Sequence, residues 1–312
     1  MPAPKAVNSQ HRALHGEQDA LRLRQLLIDG YTVIGREFNW EPRRWEGHYW
    51  AALDCERNNP DRRSDTTHLW ETVSGELVGA VVAEGPGDVA LIIHPDYRKL
   101  EDEMIEWATV NLAAPSEDNQ NAIEIWAFDW DEERQQRLRQ QGFSACSDRF
   151  YQHRRRWASE PMPDPPLAEG YALRSVADVP EDDARWVACS NATFGQSYTP
   201  EIHRNFMQNA PSNNYDLHII AEAPDGSFAA FAGLTVEPVN RYAVFEPVGT
   251  HPEHRRKGLA QAAMYECIRR VQALGTADVL YVASWGTSPA GKFYENVGMA
   301  HYATQRAWRK VI

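Results

Sequence analysis

The stretch Glu246-Pro-Val-Gly-Thr-His-Pro-Glu-His-Arg-Arg-Lys-Gly-Leu-Ala-Gln261 decides how this chain is read. Its first residues close a strand predicted over 242–250, set off by the turn signal at Pro238-Val-Asn240. After it, Ala260, Ala263, Met264, Cys267, Ile268 and Val271 recur on one helical face, predicting a helix over 258–274. A strand that feeds a helix through a basic, glycine-containing turn offers an anion the helix's unpaired N–H groups and the positive end of its dipole. Gly258 lets backbone approach that anion without an intervening side chain. Ala260 keeps the next turn small, and Arg255, Arg256 and Lys257 add charge suited to phosphate. The competing reading is a solvated basic turn ahead of a core helix.

Working outward, the second half alternates strands and helices. Short strand 171–174 and helices near 181–193 and 200–209 come first. Strands 216–223, 228–236 and 242–250 follow, with turn signals at Pro224-Asp-Gly-Ser227 and Pro238-Val-Asn240. Helix 258–274, strand 278–284, helix 289–296 and a last strand near 299–309 complete the order. Antiparallel strands followed by β-α-β crossovers predict a mixed sheet with helices on its faces.

This order and Arg255-Arg-Lys-Gly258-Leu-Ala260, set between Thr250-His-Pro252 and Tyr294-Glu-Asn-Val-Gly298, resemble the GNAT superfamily of acetyl-CoA-dependent N-acetyltransferases. The resemblance covers residues 167–312. It implies that Arg255, Arg256, Lys257, Gly258, Leu259 and Ala260 hold the diphosphate of acetyl-CoA. It also implies that backbone groups of Val248, Gly249 and Thr250 pair with the pantetheine arm and polarise the thioester carbonyl. Tyr294 takes the place of the family's general acid, since a phenol near ~10 can protonate a sulfur near ~8.5. Thr287 stands where many relatives carry an asparagine that touches the arm, a departure from the pattern. For the base, Glu246 shares a strand face with Val248 and Thr250 by period-two alternation; His251 is the alternative. The implied acceptor is the primary amine of a small molecule, attacked directly in a ternary complex. An acyl-CoA-binding regulator without turnover, or use of a different acyl donor, are the alternatives. Phe194, Tyr198, His203 and Phe206 suit an aromatic acceptor pocket and suit helix packing equally.

The first half repeats the landmarks. His94-Pro-Asp-Tyr-Arg98 before a helical run matches His251-Pro-Glu-His-Arg255, Gly142-Phe143 matches Gly298-Met299, and the Gly75 turn matches that at Gly226. An α/β fold of two tandem GNAT-like domains is expected, each a mixed, mostly antiparallel sheet flanked by helices. The domains would be 1–158 and 167–312, joined by a Pro-rich linker over 159–166 with prolines at 161, 163, 165 and 166. The architecture resembles two-domain acetyltransferases of the mycothiol-synthase type. In the first half Glu101 and Glu103 stand where Gly258 and Ala260 do, and Leu138 replaces Tyr294. That half therefore reads as a degenerate, non-catalytic domain whose carboxylates repel a diphosphate and which shapes the acceptor site. Trp40, Trp45, Trp50 and Trp70 read as core anchors or as pocket lining.

Composition narrows the remaining classes. The net charge of −12, concentrated in the first half, disfavours nucleic acid and anionic membranes. No apolar run approaches ~18 residues and no secretory leader is evident. The four cysteines, Cys55, Cys146, Cys189 and Cys267, lack paired spacing, so neither a disulfide framework nor a metal site is expected. A cytoplasmic monomer or homodimer is the expectation.

Overall fold

The computed structural model describes residues 9–51, 66–116, 119–164, 167–178 and 182–312. Pro165 and Pro166 of the expected linker, Cys55 and the first eight residues lie outside the described residues. In the first half, β1 (Ser9–Ala13), α1 (Gly16–Ile34) and α2 (Pro42–Trp50) precede β2 (Thr67–Thr72), β3 (Leu77–Gly85) and β4 (Asp88–Ile93). A 3-10 turn then leads into α3 (Glu101–Leu112), β5 (Ala114–Pro115), β6 (Asn121–Phe128), α4 (Glu132–Gln140) and β7 (Ser144–Trp157). The second half opens with β8 (Ala172–Ser175), α5 (Asp183–Phe194), α6 (Pro200–Asn209), β9 (His218–Glu222) and β10 (Phe228–Glu237). It closes with β11 (Tyr242–Thr250), α7 (Leu259–Leu274), β12 (Val279–Trp285), α8 (Ala290–Asn296) and β13 (Ala300–Val311). The expected elements of this half are all present, in the expected order.

Each half builds a mixed, mostly antiparallel sheet flanked by helices, and the two run together as a single 13-stranded sheet. The join is an exchange of last strands. β7 lies antiparallel to β12 of the other half, β13 lies antiparallel to β6, and β7 and β13 pair with each other at the centre. Neither half therefore presents a free strand edge at the seam.

Among the described residues each half has one parallel pair, and both pairs are short. β11 and β12 are in register only from Tyr242↔Val279 to Val244↔Tyr281, and β4 and β6 only at Asp88↔Glu124 and Val89↔Ile125. Beyond Val244 the β11 edge facing β12 has no ladder partner among the described residues, while β10 covers its other edge. Backbone groups that a neighbouring strand would satisfy are left for something else.

The helices that flank the sheet bury their apolar faces in several clusters. One belongs to both halves: Trp45, Trp50 and Leu69 of the first pack with Val176, Phe206, Met207 and Ile220 of the second. Trp45, Trp50 and Trp70 are fully buried and Trp40 nearly so, which makes the four tryptophans core anchors. Trp45 Nε1 donates to Ala20 O at 2.9 Å and Trp70 Nε1 to Glu103 Oε1 at 2.9 Å, so their polar tips are satisfied. Across the join, Tyr31 Oη and Tyr281 Oη share a hydrogen bond of 2.8 Å.

Candidate active site

The duplicated turns have the same local build. His94 Nδ1 accepts from Asp96 N–H at 3.2 Å, and His251 Nδ1 accepts from Glu253 N–H at 3.4 Å. They then diverge at the helix. Gly258 caps α7 with φ 72° and offers no side chain to its first turn. Arg256 also adopts positive φ, and Arg255, Arg256, Lys257 and Gly258 are exposed. Leu259 and Ala260 are buried against Ala221 and Ala230, which seats the first turn of α7 on the sheet. Lys257 is held aside: its Nζ donates to Tyr171 Oη at 2.6 Å.

In the first half the corresponding helix start is filled from within. Glu101 is fully buried and pairs with Arg98 at 3.0 Å and Arg134 at 3.0 Å, while Arg98 also reaches Asp131 at 2.8 Å. The sequence suggested a carboxylate aimed outward at an anion. Glu101 instead turns inward into an ion-pair network, because a buried carboxylate needs cationic partners. Leu138 is core, as an apolar side chain at that position should be.

β11 carries a bulge where two of its residues, Glu246 and Pro247, oppose Gly233 of β10. A Cβ on Gly233 would lie 2.9 Å from Glu246 O, so only glycine permits this approach. The bulge interrupts simple alternation: the consecutive residues Phe245, Glu246, Pro247 and Val248 all line a cavity, and Thr250 lies beyond it. Val248, Gly249 and Thr250 are half-buried along the unpaired β11 edge. Thr287 is exposed in the turn after β12, the strand on the other side of the divergence.

The cavity, about 570 Å³, opens between the halves. Tyr294 from α8, Ala283 from β12 and Glu246 from β11 lie at its wall with Glu37, Glu41, Arg43 and Arg44 of the first half. Phe194, Tyr198, His203 and Phe206 line it too, although His203 and Phe206 also pack into the interior. His251, the alternative base, is spent capping its own turn and does not line the cavity.

Burial and the Glu246 charge push the Tyr294 hydroxyl up to about 12. Burial, then Glu246, push the Glu41 carboxyl up to about 7 despite the lowering effect of Arg44. The other carboxylates of the cavity are matched. Glu84 takes both ends of Arg44, the shorter contact 2.6 Å, and Glu37 meets His153 at 3.3 Å and accepts from Tyr302 Oη.

Glu41, Arg43 and Arg44 escape sequence reading. They sit in Trp40-Glu-Pro-Arg-Arg-Trp45, and the only local signal is a Glu-Pro helix start with paired arginines between buried tryptophans. That they face Glu246 depends on how the halves dock.

Residues 183–299 match the acetyltransferase (GNAT) family. Mycothiol acetyltransferase of Arthrobacter sp. (strain FB24) is 23% identical over 287 residues, spanning 88% of this chain and 85% of the relative. A GCN5-related N-acetyltransferase from Sphaerobacter thermophilus has the same fold, with TM-score 0.61 at 18% identity over 97% of this chain and 95% of its own. A tandem GNAT protein from the clavulanic acid biosynthesis pathway is also similar, with TM-score 0.61 at 13% identity over 97% of this chain and 98% of that one.

Proposed function

We propose that the protein is an acetyl-CoA-dependent N-acetyltransferase acting on a small primary amine in a ternary complex, a reading that starts from the match of residues 183–299 to the acetyltransferase (GNAT) family. One observation carries the reading: the unpaired edge of β11 runs from the cavity holding Glu246 and Tyr294 to the basic start of α7, where no side chain bonds the first-turn N–H groups. An elongated ligand, anionic at one end and reactive at the other, fits that path.

Acetyl-CoA, when bound, supplies the acetyl group as a thioester. Arg255, Arg256, Gly258, Leu259 and Ala260 hold the diphosphate through backbone N–H groups and guanidinium charge. Lys257, tied to Tyr171, contributes field rather than direct contact. Val248, Gly249 and Thr250 hold the arm along the open strand edge, and Thr287 faces it from the turn after β12. In the N-terminal half the Glu101 network occupies the equivalent helix start, so that half takes no coenzyme.

An alkylamine near ~10.4 must lose a proton before it attacks, which costs about 4.6 kcal/mol at pH 7. Glu246 accepts that proton, directly or through water. The carbon–nitrogen bond forms as the carbon–sulfur bond breaks, and the departing sulfur takes the Tyr294 proton. Tyr294 keeps that proton at neutral pH because its environment disfavours the phenolate. The three thiols among the described residues are unsuited to a covalent relay: burial pushes Cys189 up to about 11 and raises Cys267 and Cys146 as well.

The reading is tested by thiol release from acetyl-CoA across a panel of primary amines. Amine-dependent release is expected. Coenzyme binding with no release for any amine would favour a regulator that binds acyl-CoA without turnover.

A further inference from the structure

Arg43, on the first turn of α2, lines the cavity while only 8% exposed. Its Nε is buried with no hydrogen-bond acceptor, and it pairs with no carboxylate among the described residues. Its guanidinium lies over the Phe206 ring, 4.4 Å from the centroid. The nearby His218 is 4% exposed, held neutral by burial and by Arg43 itself, and its Nε2 also lacks a partner. His203 binds Asp183 through Nδ1 at 2.7 Å and leaves Nε2 unpartnered and buried. The guanidinium packs against bare backbone at Gly47, where a Cβ would lie 2.7 Å from Arg43 Nη1.

The contrast with the rest of the cavity is direct. Arg44 is clamped by Glu84, whereas Arg43 is left as a desolvated cation with an unused donor face. Such a group weakens the folded chain, and an anion complements it. Two cavity carboxylates, Glu41 and Glu246, likewise have no ion-pair partner among the described residues. The unmatched set is thus two carboxylates and one guanidinium, flanked by Trp186, Phe194 and Phe206.

We propose that the acceptor is an amine that also carries an acidic group, a carboxylate or a phosphate, with Arg43 binding the acid while Glu41 and Glu246 hold the amine. The aromatic rings take the apolar body between or beside these groups. This rests on the transferase reading above and specifies the substrate class of the same site. A guanidinium fork matches either oxyanion in two-point contact.

The test uses the full-length enzyme, acetyl-CoA and matched acceptor pairs. Each pair is an amine with its acid and the same amine without it: α-amino acids against their decarboxylated amines, ω-amino acids against alkylamines, aminoalkyl phosphates against amino alcohols. The expected result is a kcat/KM at least about 100-fold higher for the acid-bearing member of at least one pair type, and which type separates carboxylate from phosphate. Arg43→Gln is expected to raise KM for that acceptor and erase the gap, with Arg43→Lys restoring part of it. Thermal melting of unliganded Arg43→Gln is expected to match or exceed wild type, since a merely structural arginine would lower it. Equal turnover of both members, a gap that survives Arg43→Gln, or a lower melting temperature overturns the proposal. So does a panel in which no acid-bearing amine is acetylated while coenzyme A still binds, a result that leaves the transferase fold reading standing. Loss of coenzyme binding in the wild-type chain removes both.

Discussion

Glu41 and Glu246 come from opposite halves of the chain and face one cavity, where burial and the charge of Glu246 together lift the Glu41 carboxyl to about 7. The first half therefore supplies an ionisable group poised near neutrality beside a carboxylate of the second half. Positions that cost stability in this way recur at functional sites.

That coupling has a pH signature. In the fold the Glu41 carboxyl rises from 4.5 to about 7, with Glu246, Arg44 and Glu37 as its charged neighbours. Between those pH values the folded chain holds a proton that the unfolded chain releases, so raising the pH through the window lowers stability. Glu41→Gln removes this loss. Urea unfolding is expected to show Glu41→Gln gaining on wild type between pH 5 and pH 8, by roughly 1 kcal/mol or more. A wild type that gains on the variant over the same range contradicts the assignment.

Tyr294 is buried at the cavity wall, and its proton is expected to leave with the sulfur. Tyr294→Phe keeps the ring and removes only the hydroxyl. Steady-state kinetics should show kcat falling by about 10²- to 10⁴-fold with coenzyme affinity little changed. Full turnover in the variant would take Tyr294 out of the chemistry.

Glu101 makes a third prediction, about the closed half. Its buried carboxylate holds Arg98 and Arg134 together. Glu101→Ala leaves Arg98 and Arg134 to share Asp131 as their remaining buried carboxylate and should cost about 3 kcal/mol in denaturant unfolding. It should not create a second coenzyme site, because Arg98, Arg134 and Asp131 still fill the helix start. A near-neutral change in stability would mean that the network is solvated and open.

The exchange of β7 and β13 has a consequence for the halves as separate chains. Either fragment alone carries a long strand whose partners lie in the other, leaving backbone N–H and C=O groups unpaired along its edges. Residues 1–164 and 165–312, expressed separately, should be aggregated or unfolded by circular dichroism and should assemble when co-expressed. Two well-folded independent monomers would show that the seam contributes little.

What the sequence revealed, and what it hid, divides along the same seam. Local signals placed α7, from the Ala260–Val271 stripe, and the Gly258 turn before it, because helix period and glycine conformation are properties of neighbouring residues. The repeat of His94-Pro and His251-Pro correctly announced two copies of one turn. The partner of β7 was not legible, since alternation fixes which face a strand buries and not which strand lies beside it. Glu41 and Arg43 were hidden for the same reason: their importance comes from facing β11 and α6 across the join. The bulge at Glu246–Pro247 also escaped, because it is Gly233 on the neighbouring strand that permits it.

The most direct measurement is calorimetric titration of coenzyme A into the intact protein and into Gly258→Glu. The account predicts one site per wild-type chain and none in the variant, where a carboxylate at a positive-φ position faces the diphosphate. No uptake by wild type, two sites per chain, or undiminished uptake by Gly258→Glu would contradict it.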